Sequence, residues 1–215
     1  MRLAALVAAF LLLASPAPAR EMRGAPPGDF DLYLLALTWS PGFCASGGDR
    51  AAPGQCASDA GFVVHGLWPQ YERGYPSFCG PDRAPLRSDL AAAEGLMPSE
   101  GLARYEWRKH GSCSGLPPAR YFSAVAAARD RVALPAALPR RTSPLDIERS
   151  FVLANPGLRT DMMAIGCGRS EDGTVLREVR ICLTRDLRQF RRCPDEVEQQ
   201  ACHARSVLVP QVHDQ

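Results

Sequence analysis

The chain has 215 residues, 46% hydrophobic and 22% charged, a balance that excludes a disordered polymer and suits one domain with a sizeable core. Its 25 basic and 23 acidic side chains give a formal charge of +2, and setting aside Arg2 with the leader described next leaves 24 against 23. Near neutrality excludes a function that rests on a broad basic surface, so any polyanion must be recognised in a local site.

Arg2 is followed by an apolar run from Leu3 to Ala14 and then by Ser15-Pro-Ala-Pro-Ala19. This is the pattern of a secretory signal peptide over residues 1–19, and its apolar run is too short to span a bilayer comfortably. No later segment is apolar enough to anchor the chain, so the expectation is an exported protein, secreted or periplasmic, with no membrane anchor. Without an internal repeat or a low-complexity linker, residues 20–215 read as a single domain.

Phe30 to Trp39 reads as a central strand, apolar on both faces in its second half. Residues 41–60, rich in Gly and Pro and holding two cysteines, read as a loop. Gly61-Phe-Val-Val-His65 reads as a short buried strand with His65 at its end, followed by an irregular stretch from Pro69 to Pro85. Ser88 opens a short Ala-rich helix that stops near Gly95. Ser99 caps a second, which runs to His110 and is closed by Gly111. Pro117-Pro118 opens a third helix to about Val132, and Ser143-Pro144 a fourth, with Asp146 and Glu148 in its first turn and Pro156-Gly157 at its close. Met162 to Cys167 and Thr174 to Leu183 form a hairpin around a polar turn, Gly168 to Gly173. Strands early, helices in the middle and strands late predict an α+β domain, a mostly antiparallel central sheet with helices packed against it.

Cysteines stand at 44, 56, 79, 113, 167, 182, 193 and 202. An even number in an exported chain implies four disulfides, and the absence of any C-x-x-C pair counts against zinc. About a hundred pairings are possible, and spacing does not choose among them.

Two segments carry chemistry, His65-Gly-Leu-Trp-Pro69 and Glu106-Trp-Arg-Lys-His-Gly-Ser-Cys113. A histidine near an apolar strand is more often a hydrogen-bonded structural residue than a catalyst. Here Glu106, Lys109 and His110 share one helical face at i, i+3 and i+4, a cluster that can tune an imidazole and hold an anion, or else a solvated charge face. Lys109 is the only lysine beside 24 arginines, which hints at a position that needs a compact ammonium.

These two segments resemble the active-site segments of the ribonuclease T(2) family, in that family's order and spacing, and Leu37-Thr-Trp-Ser-Pro-Gly-Phe-Cys44 resembles its first core strand. The resemblance implies an endoribonuclease that cuts single-stranded RNA through a 2′,3′-cyclic phosphate, with no metal or cofactor. It also implies a monomer that leaves DNA uncut, because DNA lacks the nucleophilic 2′-hydroxyl. Carried over, His110 is the base and His65 the acid of the first step. Lys109 stabilises the charged transition state. Glu106 orients Lys109 or His110, or meets phosphate while protonated; the sequence leaves this open. Trp68 is implied to stack on a base, Gln70 to read a base edge, and Tyr71 or Tyr75 to add a stacking face. Tyr105 departs from the family, many of whose members place a phosphate-binding histidine before the Glu, so weaker phosphate binding is expected.

The resemblance also suggests pairing Cys79 with Cys113, Cys167 with Cys202 and Cys182 with Cys193, which leaves Cys44 with Cys56. Trp39 is read as structural, His203 and His213 as surface residues, and Arg185, Arg188, Arg191 and Arg192 as a solvated face. Two rivals remain: a disulfide-scaffolded binding protein without catalysis, and a metal-dependent hydrolase, which lacks an H-E-x-x-H or Asp-rich set.

Overall fold

The computed structural model describes residues 20–80 and 84–212, so the expected leader over 1–19 and His213 lie outside the described residues. In chain order the elements are β1 (Glu21–Arg23), β2 (Leu32–Trp39), α1 (Ser40–Ala45), α2 (Pro53–Cys56), β3 (Phe62–Gln70), β4 (Tyr75–Ser77), α3 (Glu100–Lys109), α4 (Pro118–Asp130), β5 (Arg141–Thr142), α5 (Pro144–Ala154), β6 (Met163–Ser170), β7 (Gly173–Thr184), α6 (Asp195–Gln199) and β8 (Val207–Leu208). Among the described residues no helix is long and apolar enough to cross a membrane.

The main sheet runs β3-β2-β7-β8-β5, with β6 also paired to β7. Every pairing in it is antiparallel except β7 with β8. β2 is central, as its two-sided apolar pattern requires: Tyr33, Leu35 and Leu37 enter the main core, while Leu32 and Leu34 enter a smaller cluster on the opposite face. The main core fills one side of the sheet with Tyr121, Phe122 and Val125 of α4, Ile147 and Phe151 of α5, and Trp107 of α3. The opposite side holds Cys182, Cys193 and Val197, which seat α6. The result is the expected α+β arrangement, with helices massed on one face and a cleft left on the other.

Capping follows the sequence. Ser99 Oγ accepts the Leu102 amide at 3.1 Å, and Ser143 Oγ accepts that of Asp146 at the same distance. Four disulfides join Cys44–Cys56, Cys79–Cys113, Cys167–Cys202 and Cys182–Cys193, the pairs the resemblance implied. Trp39 is structural, donating its indole N–H to Pro210 O at 2.9 Å and packing on Phe62.

Several expectations need correction. The loop over 41–60 contains α1 and α2, the helix at Ser88 is a 3-10 segment over Arg87–Ala93, and the irregular stretch after Pro69 contains β4. Gly111 is no left-handed cap, a role that falls to Gly115 at φ +74° after a further 3-10 turn. Gly111 is needed for room instead, since a Cβ there would lie 2.6 Å from the Trp107 ring and 2.8 Å from that of Tyr121.

The largest correction concerns His65, which stands inside β3 and not at a strand end. Ala36 pairs with Gly66 and Leu37 with Val64, so residue 65 is the extra residue of a β-bulge. The strand continues through Pro69 because β3 ends the sheet, where a missing ladder donor is tolerated.

Candidate active site

The cleft on the open face encloses about 370 Å³ and is lined by His65, Trp68 and Gln70 of β3, Tyr75 of β4, and Tyr105, Glu106, Lys109 and His110 from α3 and its C-cap. Leu34, Arg180, Val197 and Gln200 complete the wall. α3 packs beside β3 with Ala103 and Trp107 in the core, which turns Glu106, Lys109 and His110, three and four residues apart, to the cleft. Both histidines therefore face one cavity.

His65 is held by two carboxylates. Its Nδ1 lies 2.7 Å from Glu178 Oε2, and its Nε2 lies 3.6 Å from Glu106 Oε1. Glu178 is braced in turn by Arg180, whose Nε donates to Oε1 at 2.7 Å. In the register of β2, Thr38 faces Glu178 and Ala36 lies between Gly66 and Arg180. The small Ala36 leaves room for groups from the two outer strands to meet above it. A second bulge, at Arg177 of β7, adjoins Glu178, so both partners of the His65–Glu178 pair stand where the ladder is irregular.

Burial alone would depress the His65 imidazole, but the hydrogen bond and charge of Glu178, aided by Glu106 and opposed by Arg180, raise it above its ordinary value. Burial would likewise favour neutral Glu178, yet His65 and Arg180 hold it down at about 2. His110 goes the other way. Burial, with the charges of Lys109 and His65, pushes it well below the ordinary imidazole range. Its Nδ1 is buried without a hydrogen-bond partner among the described residues, so that nitrogen has nothing to stabilise an added proton. Burial also raises Glu106, only partly offset by His65, the Trp68 N–H and Lys109.

Trp68 has a role the sequence did not suggest. Its indole N–H donates to Glu106 Oε2 at 2.6 Å, its ring stacks on His110 at 5.1 Å and 29°, and it meets His65 edge-on at 5.2 Å. It joins all three groups, whatever base it also contacts. Gly66 makes this possible, because a Cβ there would lie 2.3 Å from both Glu106 Oε2 and Trp68 Nε1. Gly66→Ala is therefore expected to cost about 1–3 kcal/mol through overpacking and to lower kcat/KM about tenfold or more through the displaced Trp68–Glu106 bond. Thermal melts and steady-state kinetics on one preparation check both.

The base-contacting candidates divide. Tyr75 lies in the cleft, 6.3 Å from the His110 ring. Tyr105 is an exposed part of the wall, with the Arg108 guanidinium 5.7 Å from its ring. Gln70 is buried there and donates to Gly74 O at 3.1 Å, which commits part of its amide. Tyr71 is not brought in. As the neighbour of Gln70 it turns to the other side, where its hydroxyl is 3.5 Å from Asp29 Oδ2. Of the arginines read as a solvated face, Arg188 is exposed, Arg185 covers the Phe30 ring at 4.2 Å, and Arg191 and Arg192 line a separate cavity. A further cavity of about 380 Å³ opens on another side of His65, lined among others by Thr38, Phe43, Gln55, Leu102 and Glu178.

Sequence reasoning missed Glu178 and Arg180. Part of their signal was available: Glu178 and Arg180 stand two apart in a strand and so share one face, and a carboxylate buried there needs a partner.

Comparison with known proteins points to one family. A "Ribonuclease" of Aeromonas hydrophila is 38% identical over 176 residues, 80% of each chain. Ribonuclease I of Escherichia coli K12 is 33% identical over 166 residues, covering 58% of this chain and 62% of its own. Among solved structures, RNase NT in complex with 5′-AMP superposes with a TM-score of 0.67 at 20% identity, covering 85% of this chain and 98% of the other. An RNase-related protein from Calystegia sepium gives 0.63 at 22%, covering 84% and 97%. The sequence pattern of the Ribonuclease T2 family matches residues 30–193, a span that holds both histidine segments, and the chain belongs to that family.

Proposed function

We propose that this protein is an exported, monomeric endoribonuclease that cuts single-stranded RNA by metal-free acid/base catalysis through a 2′,3′-cyclic phosphate. Family membership and relatives named ribonuclease support the activity. The observation that carries the mechanism is the pair of imidazoles in one cleft, one raised and the other lowered from its ordinary value. Two groups tuned apart in this way are an acid and a base.

In the first step neutral His110 takes the proton of the 2′-hydroxyl as that oxygen bonds to phosphorus. The bond from phosphorus to the 5′-oxygen breaks, and protonated His65 supplies the proton for the leaving oxygen. In the second step the roles exchange, water opening the cyclic phosphate. Lys109 offers a positive charge to the pentacovalent phosphorus, and Glu106, raised by burial from its ordinary value, orients Lys109 or His110 or meets a phosphate oxygen while protonated. Glu178 fixes the His65 ring through Nδ1, leaving Nε2 for the leaving group. That His65 borders two cavities supports a reading in which the nucleotides on either side of the scissile phosphate occupy one each.

Mass spectrometry of early digestion products is expected to show 2′,3′-cyclic phosphate termini, formed equally in the presence of EDTA, with a DNA oligonucleotide of the same sequence left whole. Termini that are non-cyclic from the first turnover, or activity lost to EDTA and restored by a divalent cation, would defeat the mechanism.

A further inference from the structure

Residues 20–29 precede the span 30–193 shared with the family, yet part of this segment pairs with β4, whose Tyr75 lines the cleft. β1 pairs in parallel with β4, Glu21 opposite Tyr75 and Arg23 opposite Ser77. The Tyr75 amide donates to Arg20 O at 3.1 Å, and the Gly24 amide donates to Ser77 O at 2.8 Å. The buried Ser77 hydroxyl donates to Glu21 Oε1 at 2.6 Å. Contact at the start of β4 is close enough that a Cβ on Gly74 would lie 2.3 Å from Arg20 O.

Just beyond β4, Phe78 has φ +48°, a left-handed conformation that a bulky side chain keeps only where its surroundings over-determine it. Two contacts do so. The Arg23 guanidinium sits 4.1 Å from the Phe78 ring centroid, and the Phe78 amide donates to Lys109 O at 2.8 Å. One face of Phe78 is thus held by β1, while its backbone holds the end of α3 from which Lys109 and His110 project. Tyr75, on the strand paired with β1, lines the cleft beside His110.

We propose that Glu21 and Arg23 are positioning residues for substrate binding. Through β4 they hold Tyr75 in the wall of the cleft, and they touch no substrate themselves. The proposal rests on the ribonuclease reading of the cleft. It also assigns the effect to one side of the reaction: the His65–Glu178 pair joins β3 and β7, which are not paired with β1. His110 keeps its stack on Trp68, and the Cys79–Cys113 disulfide still ties the turn that follows α3, so loss of the clasp weakens binding through Tyr75 and spares the proton transfers.

The test compares the wild-type protein with Glu21→Ala, Arg23→Ala, the double variant and Arg23→Lys. Each is measured for kcat and KM on a homopolymer RNA, for Kd on single-stranded DNA of the same sequence as an uncut ligand, and for amide exchange over residues 72–78. Each alanine variant is expected to raise KM and Kd about two- to fivefold, and the double about tenfold, with kcat within about twofold of wild type. Exchange over 72–78 quickens while that of β3 and β7 does not, and Arg23→Lys, which keeps a cation over the ring, restores most of both. Unaltered exchange, or faster exchange with unaltered KM and Kd, overturns the proposal. Failure of the wild type to cut RNA sinks the ribonuclease reading instead, and the DNA affinities then decide on the clasp by themselves.

Discussion

His110→Ala and His65→Ala are each expected to lower kcat by about 10²–10⁴-fold, and to do so through opposite ends of the pH profile. In the wild type the base must be neutral and the acid protonated. Activity therefore rises with pH as His110 loses its proton, well below the ordinary imidazole value, and falls as His65 loses its own, above that value. On the proposed mechanism the plateau between them is expected to be broad, because the two environments move the pair apart. Removing His110 should abolish the acidic limb and removing His65 the alkaline limb, each leaving the other in place. The double variant should be little worse than either single one, since the two act in one concerted transfer. Profiles of kcat against pH for the three variants check this; an alkaline limb lost with His110 and an acidic limb lost with His65 would reverse the roles, and trivial losses would end the scheme.

Glu178→Gln is expected to lower kcat about 10–100-fold while preserving the fold. A glutamine can still hydrogen-bond to His65 Nδ1, but it supplies no charge. Burial, which now opposes a raised His65, would then act against a weaker counterforce, and the alkaline limb should move to lower pH. Stability carries a second signature. The Glu178 carboxyl, ordinarily at 4.5, is held at about 2, so its contribution is complete above 4.5 and is lost as pH falls toward 2. Thermal melts across that window should decline less steeply for the variant than for the wild type. An alkaline limb that stays in place with kcat intact would show that Glu178 does not act on the imidazole.

The parts of this molecule legible in its sequence are those whose physics is local. Ser99 and Ser143 cap helices with their own side chains, and the face carrying Glu106, Lys109 and His110 follows from helical spacing. Glu178 reaches His65 across 113 positions, and nothing near His65 announces that partner. His65 was misplaced because Gly66 and Pro69 look like terminators. In the fold, Gly66 makes space for Trp68 and Glu106, and Pro69 is tolerated at the sheet's edge. Tyr71 was not separable from Tyr75 in the sequence, because both fall in the stretch read as irregular, and only the fold sends Tyr71 toward Asp29 while Tyr75 lines the cleft.

The bulge at residue 65 separates what the fold needs from what the chemistry needs. Val64 points into the core, Gly66 to the cleft, Leu67 into the core and Trp68 to the cleft, so the alternation would run unbroken if Val64 were joined directly to Gly66. Architecturally, the histidine is a supernumerary bead on a ladder whose rungs already match without it. Its place in the strand is then set by the groups it meets, Glu178 and the cleft, and not by the ladder.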